Sequence, residues 1–368
     1  MRFSDRKIKG LPLPKEFIVK DLAGYIKFFS NGKYKNFLFR GEPTNYSETS
    51  SSGLRGNTVP SLTKMKEEFK REVWHKLSED ERLHFNAFSQ HHGIPTNLVD
   101  ITISPLIALY FACQDFKDLK DEKLDEKRGF VYLFEDNMID ITSVLTKYGD
   151  ENFLEMYAYN KNGILFDMYK LFLNFEKKNP YMFYKHLKNL NEDYYEYCSS
   201  IFEKNSIPKK FIPYNEGKYK EEIFKMVLLF DDEEEAKELS EKIKDGLDYS
   251  FAVFLYTSYL QKFLKKIINS KEPIFWFNVM PIFKYSPILS FDRGRNQQGL
   301  FIYQSYLHYV EDVYDTEILA EQRVWPSQII VIENKETIRK ELDFLGFHQK
   351  FIYGDYDNVA SYIKKKYL

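Results

Sequence analysis

Three groups of polar residues stand where chemistry is usually placed, at strand ends and helix caps. Arg40 and Gly41 close the apolar run Asn36-Phe37-Leu38-Phe39. Arginine presents a planar fork of donors suited to phosphate or carboxylate, and glycine lets a ligand approach the backbone. An arginine paired to a carboxylate beside a turn glycine reads the same way. The second group is Gln90-His91-His92-Gly93-Ile94-Pro95-Thr96, followed by Asp100-Ile101-Thr102-Ile103-Ser104. Adjacent histidines cannot share a helix face, and the i, i+4 histidine spacing is absent, so no metal site is expected. Asp100, Thr102 and Ser104 alternate, which puts three polar side chains on one strand face. That is costly unless they bind something or one another. The third group, Asp292-Arg293-Gly294-Arg295-Asn296-Gln297-Gln298-Gly299, precedes an apolar strand and reads locally as a turn with solvated arginines. The P-loop, Gly-x-Gly-x-x-Gly, Gly-x-Ser-x-Gly and His-Glu-x-x-His patterns are absent.

These groups need elements to hold them. Glu16 to Phe29 reads as one amphipathic segment, and Asn36 to Gly41 as a short strand ended by its glycine. After a polar loop, two helices follow. The second opens on Ser78 with Glu81 three residues on, a capping box, and must stop at Gly93 and Pro95. Leu98 to Thr102 reads as a strand. Ser104 caps the next helix, with Pro105 at its first position, and Leu106 to Asp115 is apolar nearly all round, so it should be buried. Gly129 to Phe134 is a further strand, reached through the charged loop Lys117 to Lys127.

From Asn152 to Lys271 helical periodicity takes over, dense in Phe and Tyr. Its helices include Glu221 to Phe230, Glu233 to Lys244 and Asp248 to Ile268, and the acidic run Asp231 to Glu235 reads as a solvated helix start. The aromatics follow helical spacing and so read as core. Strand-like runs resume at Ile274 to Phe277, Leu300 to Tyr303 and Gln328 to Ile332, with helices at Lys335 to Leu345 and Asp357 to Lys365. There is no internal repeat. The expectation is an α+β protein with a split mixed β core: a lead (1–35), two core halves (36–150 and 274–368) and an all-helical insertion (151–273).

Composition bounds the function. With 53 Lys and Arg against 55 Asp and Glu, the net charge of −2 over 368 residues argues against a broadly cationic nucleic-acid protein. An aromatic content of 17% excludes general disorder. Cys113 and Cys198 form neither a disulfide framework nor a ligand pair. The first residues lack an apolar signal core, and no run reaches the about 20 apolar residues of a membrane span. A cytoplasmic protein with no membrane partner is expected.

The triplet Phe39-Arg40-Gly41 and the ordered stretch Gln90 to Asp100 resemble the FRG-domain family. The likeness continues through Thr102, Ser104-Pro105 and Ala108 to Ala112. It resumes at Arg293, Gln297-x-Gly299-x-Phe301 and Ile338 to Ile363. Asn97 and Ile101 stand where the family usually has arginine and tryptophan. Many FRG proteins look like toxin, mobile-element or phage-defence proteins, which implies a bacterial effector. A further resemblance, to ADP-ribosyltransferases of the Arg-Ser-Glu type, implies NAD as the ligand. Arg40 then holds its phosphate, and Thr102 and Ser104 stand on the strand that braces the nicotinamide site. On this reading Gly41, Gln90, His92, Thr96 and Gln298 complete the NAD contacts, and His91, Asp100 and Gln297 are the catalytic candidates. The glutamate of that group is replaced by Gln297 and Gln298, so either a carboxylate from Asp100, Asp292 or Glu321 takes over, or the site binds without turning over. Two other readings stand beside it. One is a nucleic-acid-directed effector with Arg293, Arg295 and the histidine pair along a groove. The other is a non-catalytic nucleotide sensor whose helical insertion meets a protein partner.

Overall fold

The computed structural model describes residues 12–46, 49–55, 62–116, 125, 127–149, 153–201, 250–270, 279–289, 292–310 and 316–368. The expected helices Glu221 to Phe230 and Glu233 to Lys244, and the strand Ile274 to Phe277, lie outside these residues.

The amphipathic segment expected from Glu16 is two elements, β1 (Lys15–Val19) and α1 (Leu22–Phe29). Asp21 divides them: its carboxylate accepts from the Gly24 amide at 2.7 Å and starts the helix. β1 pairs in parallel with a strand near the other end of the chain, which local pattern cannot show. β2 (Phe37–Glu42) runs through Gly41 instead of ending there. Next come α2 (Leu62–Val73), α3 (Glu79–Leu83) and α4 (Phe85–His91). Ser78 and Glu81 make the expected capping box at the start of α3. β3 (Leu98–Thr102) leads to α5 (Pro105–Ala112), capped by Ser104, whose hydroxyl accepts from the Ile107 amide at 3.5 Å. The expected alternation of Asp100, Thr102 and Ser104 therefore stops at Thr102, where the strand ends.

β4 (Gly129–Glu135) and β5 (Ile139–Asp140) come next. The helices α6 (Thr142–Tyr148), α7 (Phe153–Ala158), α8 (Ile164–Lys178), α9 (Pro180–Ile201) and α10 (Phe251–Ser270) follow. The chain returns to the sheet in β6 (Phe283–Tyr285), passes through α11 (Asp292–Asn296), and continues in β7 (Gly299–Tyr303). β8 (Tyr306–Val310) and β9 (Thr316–Glu321) form a separate antiparallel pair. β10 (Gln328–Ile332), α12 (Lys335–Phe344), α13 (Gln349–Tyr353) and α14 (Tyr356–Tyr367) finish it.

The main sheet has eight strands in the order β1-β10-β4-β2-β3-β7-β6-β5, with parallel pairs at both edges and antiparallel pairs between. This is the α+β, mixed-sheet architecture expected. Its central strand β4 is buried on both faces. Val131 and Leu133 meet α5, α1 and α12 on one side, and Phe130, Tyr132 and Phe134 meet Val99, Ile101 and Trp325 on the other. The helical stretch packs on the β3–β7–β6 half and shares a core with it. The Phe153 ring sits 5.1 Å from Phe283 and 5.4 Å from Tyr303, both edge-on. The aromatics of that stretch are core: Tyr157, Tyr169, Phe172 and Tyr256 are fully buried.

α5 lies on the sheet backbone to backbone. A Cβ at Gly41 would stand 1.8 Å from the Ala108 carbonyl oxygen, and one at Gly129 would stand 2.1 Å from that of Ala112. Ala108 and Ala112 are one helical turn apart, so two small residues on the helix face two glycines on adjacent strands. Gly41→Ala is therefore expected to cost about 3 kcal/mol or more, because the obstacle is a main chain that cannot rotate away. At Gly93 a Cβ meets nothing and only a positive φ of 89° is strained, so Gly93→Ala should cost about 1–2 kcal/mol. Urea unfolding midpoints test this; equal losses at the two sites would contradict the close packing.

Candidate functional site

β2 pairs with β4 along its whole length and β3 with β7, but β2 and β3 share a single bridge, Phe39 opposite Thr102. Past it the strands part, and Arg40 fills the gap. Its Nη1 donates to the Asp100 carbonyl at 2.7 Å, replacing a ladder bond, and its Nε donates to Glu42 Oε1 at 2.6 Å. Nη1 is also 3.8 Å from Asp100 Oδ2, but that carboxylate is 63% exposed and the contact is correspondingly weak. Burial alone would lower the Arg40 pKa. Attraction to Glu42 and Asp100 outweighs it and holds the guanidinium above its ordinary value.

The gap opens into a cleft of about 300 Å³, the lower end of the range for small-molecule sites. Arg40, Gly41, Glu42, Asp100 and Thr102 line it from the two strands, and Phe111 and Gln114 from α5 and its end. Arg293 and Gln297 come from α11 and the turn after it, and Tyr353 from α13. The Arg293 guanidinium lies 5.1 Å from the Tyr353 ring, a cation–π contact. Thr102 ties the two halves of the chain together: its hydroxyl donates to the Gln297 carbonyl at 2.8 Å and accepts from the Ser104 amide at 3.0 Å. The Gln297 side-chain Nε2 is buried without an acceptor. An unmet donor of this kind costs about 1–3 kcal/mol, which an acceptor on a ligand would recover.

Of the residues singled out from sequence, Arg40, Gly41, Asp100, Thr102, Arg293 and Gln297 meet in this cleft. Gln90, His91, His92, Thr96, Ser104, Arg295 and Gln298 do not line it. Gln90 and Thr96 hydrogen-bond each other, and Thr96 is tied to Ser52 and Gly53. The His92 ring packs 4.4 Å from that of Phe88. Ser104 caps α5. Gln298 turns the chain into β7 at a φ of 46°, its carbonyl accepting from Ile103. His91 lies near enough to Arg293 and Asp355 to feel their charges. Burial, then His92 and Arg293, lower its pKa to about 4 against the pull of Asp355. Asp292 is exposed and 3.5 Å from Arg295, and Glu321 is paired with Arg323 at 3.2 Å, so neither carboxylate enters the cleft. Asn97, in the family's arginine position, is buried and bonded to Asn86 and Gln304.

Glu42 is the carboxylate that reading the sequence missed. It is 7% exposed and lines the cleft beside Arg40. The i, i+2 spacing on a strand puts Arg40 and Glu42 on one face, a signal that was present. Tyr353 and Gln114 carried none, since only the tertiary fold brings them in. Among the described residues no cluster of three His, Cys, Asp or Glu could hold a metal ion, and no helix is long and apolar enough to cross a membrane.

The strand that carries Phe-Arg-Gly and the hydroxyl-bearing strand that feeds a buried helix form the cleft's first two walls, and the helix stopped at His-His-Gly leads into the second of these strands. Residues 35–121 match the family model described as the FRG domain, so the chain carries an FRG domain there. The match holds β2, β3 and α5. Arg293, Gln297 and Tyr353 lie beyond it and are delivered by the sheet. No curated protein and no solved structure matches the chain significantly.

Because His91 has a folded pKa of about 4 against about 6.5 when unfolded, the unfolded chain binds more protons between those values. Its contribution to stability must fall as pH drops through that window. His91→Gln should flatten the loss between pH 6.5 and 4 in urea titrations; an unchanged slope would show that His91 is not held neutral.

Proposed function

We propose that the cleft binds NAD and transfers its ADP-ribosyl group to an acceptor, in an FRG-domain effector of the toxin or phage-defence kind. The observation that supports this reading is convergence. Arg40, Glu42, Asp100 and Thr102 from the FRG segment meet Arg293 and Gln297 from the far side of the helical stretch on one wall-to-wall site.

The chemistry of the lining fits the reaction. Arg293, resting on Tyr353, and the Nη2 of Arg40 are suited to a pyrophosphate. Gln297 Nε2 is suited to a ribose hydroxyl. Transfer breaks the bond between the ribose C1′ and nicotinamide, which leaves neutral with the bonding electron pair. The acceptor's lone pair forms the new bond to C1′, and its proton passes to a base. Positive charge develops on the ribose in between, and a fixed carboxylate in a shielded cleft stabilises such charge. On this reading Glu42 takes that role, in place of the glutamate absent from the 297–298 turn, and Asp100, open to solvent, takes the acceptor's proton. The two arginines are balanced by two carboxylates, which favours a small zwitterionic ligand over a polyanion such as nucleic acid.

Calorimetric titration of the full chain with NAD, with nicotinamide release followed by chromatography, tests this. Arg293→Ala should weaken binding about tenfold or more. Arg40→Ala should do so too, but it also strands Glu42, so the Arg293 variant is the cleaner of the two. Glu42→Gln should keep NAD affinity while lowering turnover about 100- to 1,000-fold. Absence of both binding and nicotinamide release in the folded protein would overturn the reading.

A further inference from the structure

A second cavity, of about 260 Å³, shares no lining residue with the cleft. It lies where the helical stretch meets the sheet. Met182, Lys185 and His186 enter from α9, Met138 from the β4–β5 connection, Met280 from the segment before β6, and Gln322, Arg323 and Trp325 from between β9 and β10. Three methionines and a tryptophan make a soft, adaptable floor suited to a flat ring. Trp325 is fixed there, because its Nε1 donates to the Pro12 carbonyl at 2.8 Å.

The polar groups of the cavity are as selective as its floor. Gln322 is 4% exposed, and its Nε2 donates to the carbonyls of Met280 at 3.2 Å and Pro281 at 3.0 Å. Those two bonds fix the amide's orientation, since a flip would set oxygen against oxygen. Its Oε1 is left buried without a donor. Two lining cations, Lys185 and Arg323, stand against one lining carboxylate, Glu135. Arg323 is held by Glu321 at 3.2 Å. The lining thus offers three things to one molecule: a soft floor for a flat ring, an acceptor for a hydrogen-bond donor, and the cations Lys185 and Arg323 for an acid.

We infer that this cavity is a second ligand site, selective for a small aromatic carboxylate that carries a ring N–H. Such a ligand bridges α9 and the sheet, joining the helical stretch to the core. It would place its N–H toward Gln322, its ring among the methionines and its acid toward Lys185 and Arg323.

Indole-3-acetate is a suitable probe, and the methionines report on it directly. In the full chain labelled with ¹³C-methyl methionine, the probe should shift the Met138, Met182 and Met280 signals saturably. Met156 and Met168, buried elsewhere in the helical core, should stay in place. Indole, which keeps the ring and N–H but lacks the acid, should bind at least about tenfold more weakly. Lys185→Glu, an exposed position that spares the fold, should weaken indole-3-acetate by a similar factor. Absence of a saturable shift at millimolar probe would overturn the assignment. So would equal affinity for indole, an unchanged Lys185→Glu variant, or shifts at Met156 and Met168 equal to those at Met138, Met182 and Met280.

Discussion

The fold turns on a contact that leaves no room for a side chain. α5 rests on β2 and β4 through Gly41 and Gly129, with the Ala108 and Ala112 carbonyls where Cβ atoms would otherwise stand. Everything at the cleft is referenced to that seat. Gly41 lies between Arg40 and Glu42, so the close approach of α5 on one face fixes the strand that presents both charges on the other. The end of the same helix supplies Phe111 and Gln114 to the cleft, and Tyr25 locks its start by donating to the Pro105 carbonyl at 2.7 Å. A helix held this closely gives the site a rigid wall.

The electrostatics of the cleft follow from the same arrangement. Where β2 and β3 part, a backbone carbonyl loses its ladder partner, and the Arg40 guanidinium takes that place. A largely buried arginine needs a counter-charge, and Glu42 supplies it at 2.6 Å. Arg40 is thus both a structural plug and a cation at the cleft wall, while Glu42 is both its partner and a carboxylate facing the ligand space. Neither the bland reading of Arg40 as a paired arginine nor the functional one excludes the other, because the pair itself lines the cavity. Arg293 differs: it reaches the cleft on a short helix and rests on an aromatic ring, so it is the cation with more freedom to meet a ligand.

Much of this was legible in the residues. The Ser78–Glu81 capping box, the Ser104–Pro105 helix start, the β3 strand and the mixed α+β class all follow from local chemistry, and local chemistry is what sequence pattern reports. Arg40, Asp100, Thr102 and Gln297 were legible as polar groups at element ends. The histidine pair shares a sequence stretch with the motif but does not line the cleft: the His92 ring packs on Phe88, and His91 is close enough to Arg293 and Asp355 only to feel their charges. Gly41 was legible as special but for the wrong reason, since it marks a close approach within a strand and not the end of one. Glu42 was readable from strand alternation. Tyr353, Gln114 and the Met-lined cavity were not readable, because each depends on contacts between segments far apart in the chain.

The most direct test of the site is the structure of the full chain bound to carba-NAD, in which a carbocycle replaces the nicotinamide ribose so that the transferable bond cannot break. The account predicts its pyrophosphate between Arg293 and Arg40 and its nicotinamide-side ring facing the Glu42 carboxylate, with Gln297 Nε2 donating to a ring hydroxyl. Binding elsewhere on the molecule, or a cleft left empty at saturating ligand, would contradict it.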